Sequence, residues 1–155
     1  MRDVVVTRPL SRADLPALAG VLEATGLFPA GLLEGMAQPW FAAPDGAVWL
    51  VAEGADGVCG FCHDVPEALT DGTWNLLALA VHPAAQGRGV AAALVTAAEA
   101  ALRGNGARLC IVDTAGTPDY AVARRLYARL GYREEARLRH FWAEGVDKVT
   151  FVKRL

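Results

Sequence analysis

Apolar residues recur along this chain with two periods, one near 3.6 and one near 2, and the two alternate from segment to segment. Val4 to Arg8 reads as a first strand. Ser11-Arg12-Ala13-Asp14 has the form of a capping box, with Asp in place of Glu or Gln, and opens a helix through Leu15, Leu18, Val21 and Leu22. Gly26 stops that helix, and a second runs from about Ala30 to Phe41 with Leu32, Leu33, Met36 and Trp40 on one face. Val48 to Glu53 and Val58 to Val65, joined by Gly54-Ala55-Asp56-Gly57, make a hairpin. Trp74 to Val81, WNLLALAV, is nearly all apolar, as a central strand covered on both faces must be. An alanine-rich helix follows to about Arg103, Asn105-Gly106 turns, and Arg108 to Asp113 is another buried strand. Ala121 to Leu130 is a helix with Ala123, Leu126, Tyr127 and Leu130 on its apolar stripe, ended by Gly131. Tyr132 to Arg139 and Val146 to Lys153 are two last strands. The order β-α-α-β-β-β-α-β-α-β-β predicts one mixed α/β domain over residues 1–155, a central sheet flanked by helices.

Composition narrows the function classes. With 54% hydrophobic and 21% charged residues, the chain has ample apolar surface to bury. A net charge of −2 and a pI near 5.9 argue against an extended nucleic-acid-binding face. No apolar run approaches the roughly 20 residues that span a bilayer, so no membrane partner is expected. MRDVVVTRPLSRADL lacks the long apolar core and small-residue cleavage site of a signal peptide, which predicts a cytoplasmic location. Nothing in the composition decides the oligomeric state, and a homodimer is left open.

Cys59-Gly60-Phe61-Cys62-His63 has the Cys-x-x-Cys-His spacing of a c-type haem tether, and its first four residues have that of a thioredoxin-type pair. The setting argues against both. The segment lies between a turn and Pro66 and reads as a strand, where side chains three apart point to opposite faces. A redox pair also needs a helix N-terminus, and none is signalled here. The expectation is two ordinary strand cysteines, no haem and no metal, with Gly60 marking the close approach of a neighbouring strand.

The segment that carries chemistry is LALAVHPAAQGRGVAAALV, Leu77 to Val95. A strand feeds Gln86-Gly87-Arg88-Gly89-Val90-Ala91, and a helix begins at once. Glycines let the backbone turn tightly and approach a ligand, while the first helical N–H groups lack internal acceptors. With the positive end of the helix dipole, the turn suits a phosphate or pyrophosphate. Neither a P-loop nor a G-x-G-x-x-G fingerprint is present.

Val81-His82-Pro83, then Gln86-x-x-Gly89-x-Ala91 and Leu94, resembles the acetyl-CoA-binding motif of the GNAT N-acetyltransferase superfamily. Ala123-x-x-Leu126-Tyr127-x-x-x-Gly131-Tyr132 is similar to a second signature of that superfamily, and the element order matches over essentially the whole chain. The resemblance implies a GNAT-like sheet and acetyl-CoA as cosubstrate. Its pyrophosphate would lie on the backbone of Gln86, Gly87, Arg88, Gly89, Val90, Ala91 and Ala92. Its pantetheine would pair with Leu79, Ala80 and Val81, in a V between the Trp74 and Arg108 strands. Tyr127 matches the tyrosine that protonates the leaving thiolate; as a bare residue it reads equally as a core aromatic. Many relatives carry an Asn seven residues earlier, where this chain has Tyr120, and Thr117-Pro118 lengthens the loop.

An ammonium must lose a proton before it can attack a thioester, so a carboxylate base is needed. Asp113, at the end of its strand, sits where ribosomal-protein acetyltransferases place a glutamate, and it could equally cap a helix or turn. Glu53 and His63 are weaker candidates, and His140 could reach the acceptor. Leu27, Phe28, Phe141 and Trp142, with Trp74 nearby, could enclose an apolar or cationic amine or could simply close the core. The reading is an N-acetyltransferase acting on a small-molecule amine. A peptide or protein N-terminal acetyltransferase, suggested by the tail ARLRHFWAEGVDKVTFVKRL, and a CoA-binding sensor without turnover are the alternatives.

Overall fold

In the computed structural model, which describes residues 4–155, seven strands form one sheet in the order β1-β2-β3-β4-β5-β7-β6. The strands are β1 (Val6–Pro9), β2 (Val48–Gly54), β3 (Gly57–Pro66), β4 (Thr73–Val81), β5 (Leu109–Ala115), β6 (Arg133–Ala143) and β7 (Val146–Arg154). Helices α1 (Leu15–Thr25) and α2 (Leu33–Ala42) cover one face, and α3 (Val90–Gly104) and α4 (Ala121–Arg129) the other. Every predicted element is present, with ends moved by a few residues. The first strand begins at Val6 rather than Val4, and Ala30–Leu32 is a 3-10 turn leading into α2, which leaves Leu32 exposed.

Two apolar layers hold the sheet. On the α1–α2 side Leu18, Val21, Leu22, Leu33 and Ala37 pack on Trp49, Val51, Phe61, Ala78 and Ala80. On the α3–α4 side Val90, Leu94, Val95, Ala98, Leu102 and Tyr127 pack on Ala52, Cys62, Leu76, Cys110, Val112 and Phe151. Asp14 joins β1 to the start of α1: its Oδ2 accepts from the Ser11 N–H at 2.8 Å, and the Arg8 guanidinium donates to both of its oxygens, each at 2.8 Å. These bonds hold the Asp14 carboxyl down at about 2.

β4 and β5 run parallel but pair only from Thr73–Asn75 to Leu109–Ile111. Beyond that level β4 keeps its antiparallel partner β3 to Val81, and β5 keeps β7 to Ala115. The two central strands therefore part into a V, open at their C-terminal ends. A bulge lies at this level: Asp64 faces Leu76 and His63 faces Ala78, so Leu77 is the extra residue of β4 and stands exposed.

A second bulge corrects the reading of the cysteine segment. Ala52 pairs with Gly60 but Glu53 pairs with Val58, which leaves Cys59 as an extra residue. Cys59 and Cys62 consequently pack on the same layer, under α3, and not on opposite faces as strict alternation predicts. Cys59 donates its thiol to Ala52 O at 3.6 Å and Cys62 to Leu94 O at 3.8 Å, and both are free thiols. The close approach at Gly60 is there: a Cβ would lie 2.9 Å from Ala80 O.

Candidate active site

The open half of the V ends in the glycine-rich turn. Gln86 Nε2 donates to Val81 O at 3.0 Å, tying the turn to the last residue of β4. Gly87 and Gly89 have φ of 77° and 83°, the left-handed region where side chains are strained. Gly89 caps α3 and its carbonyl accepts from Ala93 N–H at 3.0 Å. The N–H groups of Val90, Ala91 and Ala92 precede the first intrahelical bond and have no acceptor within the helix. A Cβ on Gly87 or Gly89 would stand in open space, on the exposed side of the turn. The parted strand edge, with its unpaired N–H and C=O groups, and the helix N-terminus, with its free N–H groups, lie on either side of a 3-10 turn (Pro83–Ala85). The N–H groups of that turn are spent on His82 O, His82 Nδ1 and Pro83 O. An extended arm against the strand edge and an anion on the helix N-terminus suit this arrangement.

Tyr127 lies on the α3–α4 face, 5% exposed, with its ring 5.9 Å from that of Tyr132 and 5.8 Å from that of Phe151. Its hydroxyl makes no hydrogen bond among the described residues. Burial, then the nearby Asp64, Cys110 and Cys62, push its ionisation far up, so the phenol holds its proton. Leu79, Ala80 and Val81 line the parted half of β4, with Leu79 and Val81 on the layer of Tyr127 and Ala80 on the opposite one.

Asp113 is half-buried on the α1–α2 side of β5, opposite Tyr127, and accepts from Thr150 Oγ1 at 2.6 Å across the pairing with β7. The capping role that its position allowed is not what it does. Glu53 pairs with Arg8 at 3.0 Å at the far side of the sheet. His63 is buried, stacked on Trp49 at 3.9 Å with Nδ1 3.2 Å from Val48 O, and burial pulls it down to about 4. Neither lies in the V.

The acceptor-side aromatics divide. Phe28 packs edge-on against Phe61 at 6.4 Å, within the α1–α2 layer. Trp74 is buried on the other face, at the closed end of the V, and closes the core there. Phe141 and Trp142 stand exposed on a large bulge of β6, where Leu138 faces Lys148 but Ala143 faces Val146. Asp147 holds the bulge by accepting from His140 N–H at 3.2 Å and from Arg137 at 3.0 Å, with His140 at a φ of 57°. His140 is spent on this turn, its Nδ1 accepting from Gly145 N–H at 2.9 Å. Trp142 Nε1 donates to Thr114 O at 3.2 Å, which lays the indole against the residue after Asp113. Tyr120 closes a 3-10 turn before α4, and Arg124 fixes the lengthened loop through Ala115 O at 2.5 Å and Thr117 O at 2.8 Å. Sequence reasoning passed over Asp64, Thr150 and Arg124. Asp64 alone gave a signal, the one carboxylate in the Val58–Val65 strand.

A parted parallel strand pair thus opens above a glycine turn and a helix N-terminus, with a neutral phenol on one side and a carboxylate on the other. Residues 44–134 match the acetyltransferase (GNAT) domain, and the chain belongs to that family. It is 39% identical over 101 residues to the mycothiol acetyltransferase of Kineococcus radiotolerans, covering 65% of this chain and 30% of that relative's length. A GNAT-family protein from Desulfovibrio desulfuricans superposes with a TM-score of 0.89 at 29% identity, over 97% of this chain and 99% of that one. YncA of Salmonella typhimurium, solved with acetyl-CoA, superposes at 0.81 with 19% identity, over 98% and 94%, a likeness of fold. Among the described residues no helix is long and apolar enough to cross a membrane, and no three His, Cys, Asp or Glu side chains gather as a metal site.

Proposed function

We propose that the chain transfers an acetyl group from acetyl-CoA to the primary amine of a small molecule. The observation that carries this reading is the V, whose unpaired β4 edge leads through the Pro83–Ala85 turn to Gly87–Gly89 and the start of α3. Leu79, Ala80 and Val81 would hold pantetheine, and the backbone of Gln86 to Ala92 the pyrophosphate. The cosubstrate supplies an activated acetyl thioester. Asp113, oriented by Thr150, takes the proton of the incoming ammonium on the α1–α2 side. Tyr127 gives its proton to the departing sulfur from the other face. Proton removal and proton delivery are thus kept on opposite sides of the reacting carbonyl. The mycothiol acetyltransferase likeness favours a small-molecule acceptor over a peptide. The exposed Phe141–Trp142 pair beside Asp113 supplies an aromatic face for an apolar or cationic amine.

The test has two parts. Acetyl-CoA binding by calorimetry should be present in the wild type and fall at least tenfold in Gly89→Val, which strains a φ of 83° and sets a branched side chain in the open space a pyrophosphate would take, with folding checked by circular dichroism. Amines and short peptides are then assayed for release of free CoA. Unchanged binding in the folded variant would put the site elsewhere, and release with peptides alone would make the protein an N-terminal acetyltransferase.

A further inference from the structure

Asp64 is a buried titratable group that the chemistry above does not use. It is 1% exposed, and its Oδ1 is enclosed with no hydrogen-bond partner among the described residues. Leaving a buried carboxyl without a partner costs several kcal/mol if it is charged and far less if it is neutral. Its place is specific. Asp64 faces Leu76, the last regular residue of β4 before the Leu77 bulge, at the level where β4 leaves β5. Its neighbours Val48 and Leu76 belong to the layer of Tyr127, whose hydroxyl also lacks a partner. The titratable groups facing it are Glu99 from α3, Cys62 from its own strand, Cys110 from β5 and Tyr127 from α4. Glu99 accepts from Lys153 at 2.7 Å and Tyr132 at 3.1 Å, whereas no cation among the described residues pairs with Asp64.

Resting on the acyltransferase reading, we propose that Asp64 is a positioning residue for Tyr127: as the neutral acid it permits proton donation at the apex of the V, and as the carboxylate it suppresses it. The physical reason is charge. When Tyr127 gives its O–H proton to the thiolate, the O–H bond breaks, an S–H bond forms, and the electron pair stays on the phenolate oxygen. A carboxylate in the same low-dielectric layer raises the free energy of that phenolate, and a neutral carboxyl does not. Burial, with Glu99 adding to it, pushes Asp64 up to about 7, so the switch falls near neutral pH.

The experiment follows the pH dependence of acetyl transfer in wild type, Asp64→Asn, Tyr127→Phe and the double variant, using the best acceptor from the amine and peptide assay. Wild-type turnover should lose about three- to tenfold across pH 7 relative to Asp64→Asn, one pK unit of coupling being tenfold. That difference should vanish on the Tyr127→Phe background, which a merely structural role would not produce. Infrared titration of wild-type protein, which needs no variant to fold, should show a protonated-carboxyl band lost as pH rises through neutrality. Stability is a further readout. The folded chain keeps a proton that the unfolded chain releases, so wild-type stability should fall as pH rises from about 4 to about 7, and Asp64→Asn should remove that slope. An unchanged pH profile in Asp64→Asn, or a wild type that shows at pH 5 no protonated-carboxyl band that Asp64→Asn removes, overturns this inference alone. A wild type that binds no acetyl-CoA overturns the acyltransferase reading with it.

Discussion

The two halves of the β4–β5 pair are built from the same kind of sequence and do opposite work. Thr73–Asn75 and Leu109–Ile111 share a ladder, and Trp74 and Cys110 face each other across it in the core. A few residues on, Leu77 bulges, Asp64 and His63 flank the bulge from β3, and the strands have no further pairing with each other. The closed half satisfies its backbone internally. The open half leaves a row of peptide groups unpaired between β4 and β5, with Tyr127 and Asp64 on one face and Asp113 and Thr150 on the other. On the proposed function, one strand is structural at its start and ligand-binding at its end. Substitutions in the two halves should separate stability from activity.

The largest effect is expected at Tyr127. Tyr127→Phe keeps the ring and its contacts with Tyr132 and Phe151 and removes only a hydroxyl that no described residue uses. Turnover should fall by roughly 10²–10⁴-fold, with acetyl-CoA affinity within a few-fold of wild type and thermal stability unchanged or slightly raised. Steady-state kinetics with calorimetry check it. Turnover equal to wild type would return Tyr127 to the core and merge the two halves into one structural unit.

The sequence made the frame of this comparison legible and hid its hinge. WNLLALAV announced a strand buried on both faces, the glycine run announced a tight turn into a helix, and Gly131 marked the stop of α4. Those signals are local, set by periodicity and backbone conformation. The bulges at Cys59, at Leu77 and between Leu138 and Ala143 are settled by register against a neighbouring strand, and no single segment encodes that. Hence the cysteines were expected on opposite faces, and Trp74 was left open between the acceptor and the core, where its strand carries it to the closed end. Asp113 was legible as a strand-end carboxylate, but its Thr150 partner lies 37 residues away, beyond the reach of local pattern.

Trp74 breaks the comparison from the other side. It is 7% exposed and sits where the ladder is intact, so Trp74→Ala leaves a cavity beneath α3 with no ligand-facing group lost. The expected cost is about 3–5 kcal/mol of stability, read from urea unfolding midpoints. Where the variant is folded, acetyl-CoA should bind within a few-fold of wild type. Binding lost in step with a preserved midpoint would mean that the closed half holds ligand after all.

The smallest effect is expected from the cysteines, which sit beneath the open half without reaching its chemistry. Cys62 is fully buried against α3, and burial pushes its thiol well above the usual range; Cys59 is raised for the same reason. Both are therefore thiols, and a thiol is a poor nucleophile and a poor metal ligand. Although the bulge brings them to one face, each is committed to a different carbonyl, Ala52 O and Leu94 O. Cys62→Ala should cost about 1–3 kcal/mol through the packing it removes, and Cys59→Ala, half-buried, less than about 1. Acetyl transfer by the folded double variant should stay within a few-fold of wild type and be indifferent to dithiothreitol. Purified wild-type protein should carry no stoichiometric zinc and no haem absorbance. Activity that disappears in a folded double variant, or that follows the redox state of the buffer, would place a thiol in the open half and overturn the division of labour between phenol and carboxylate.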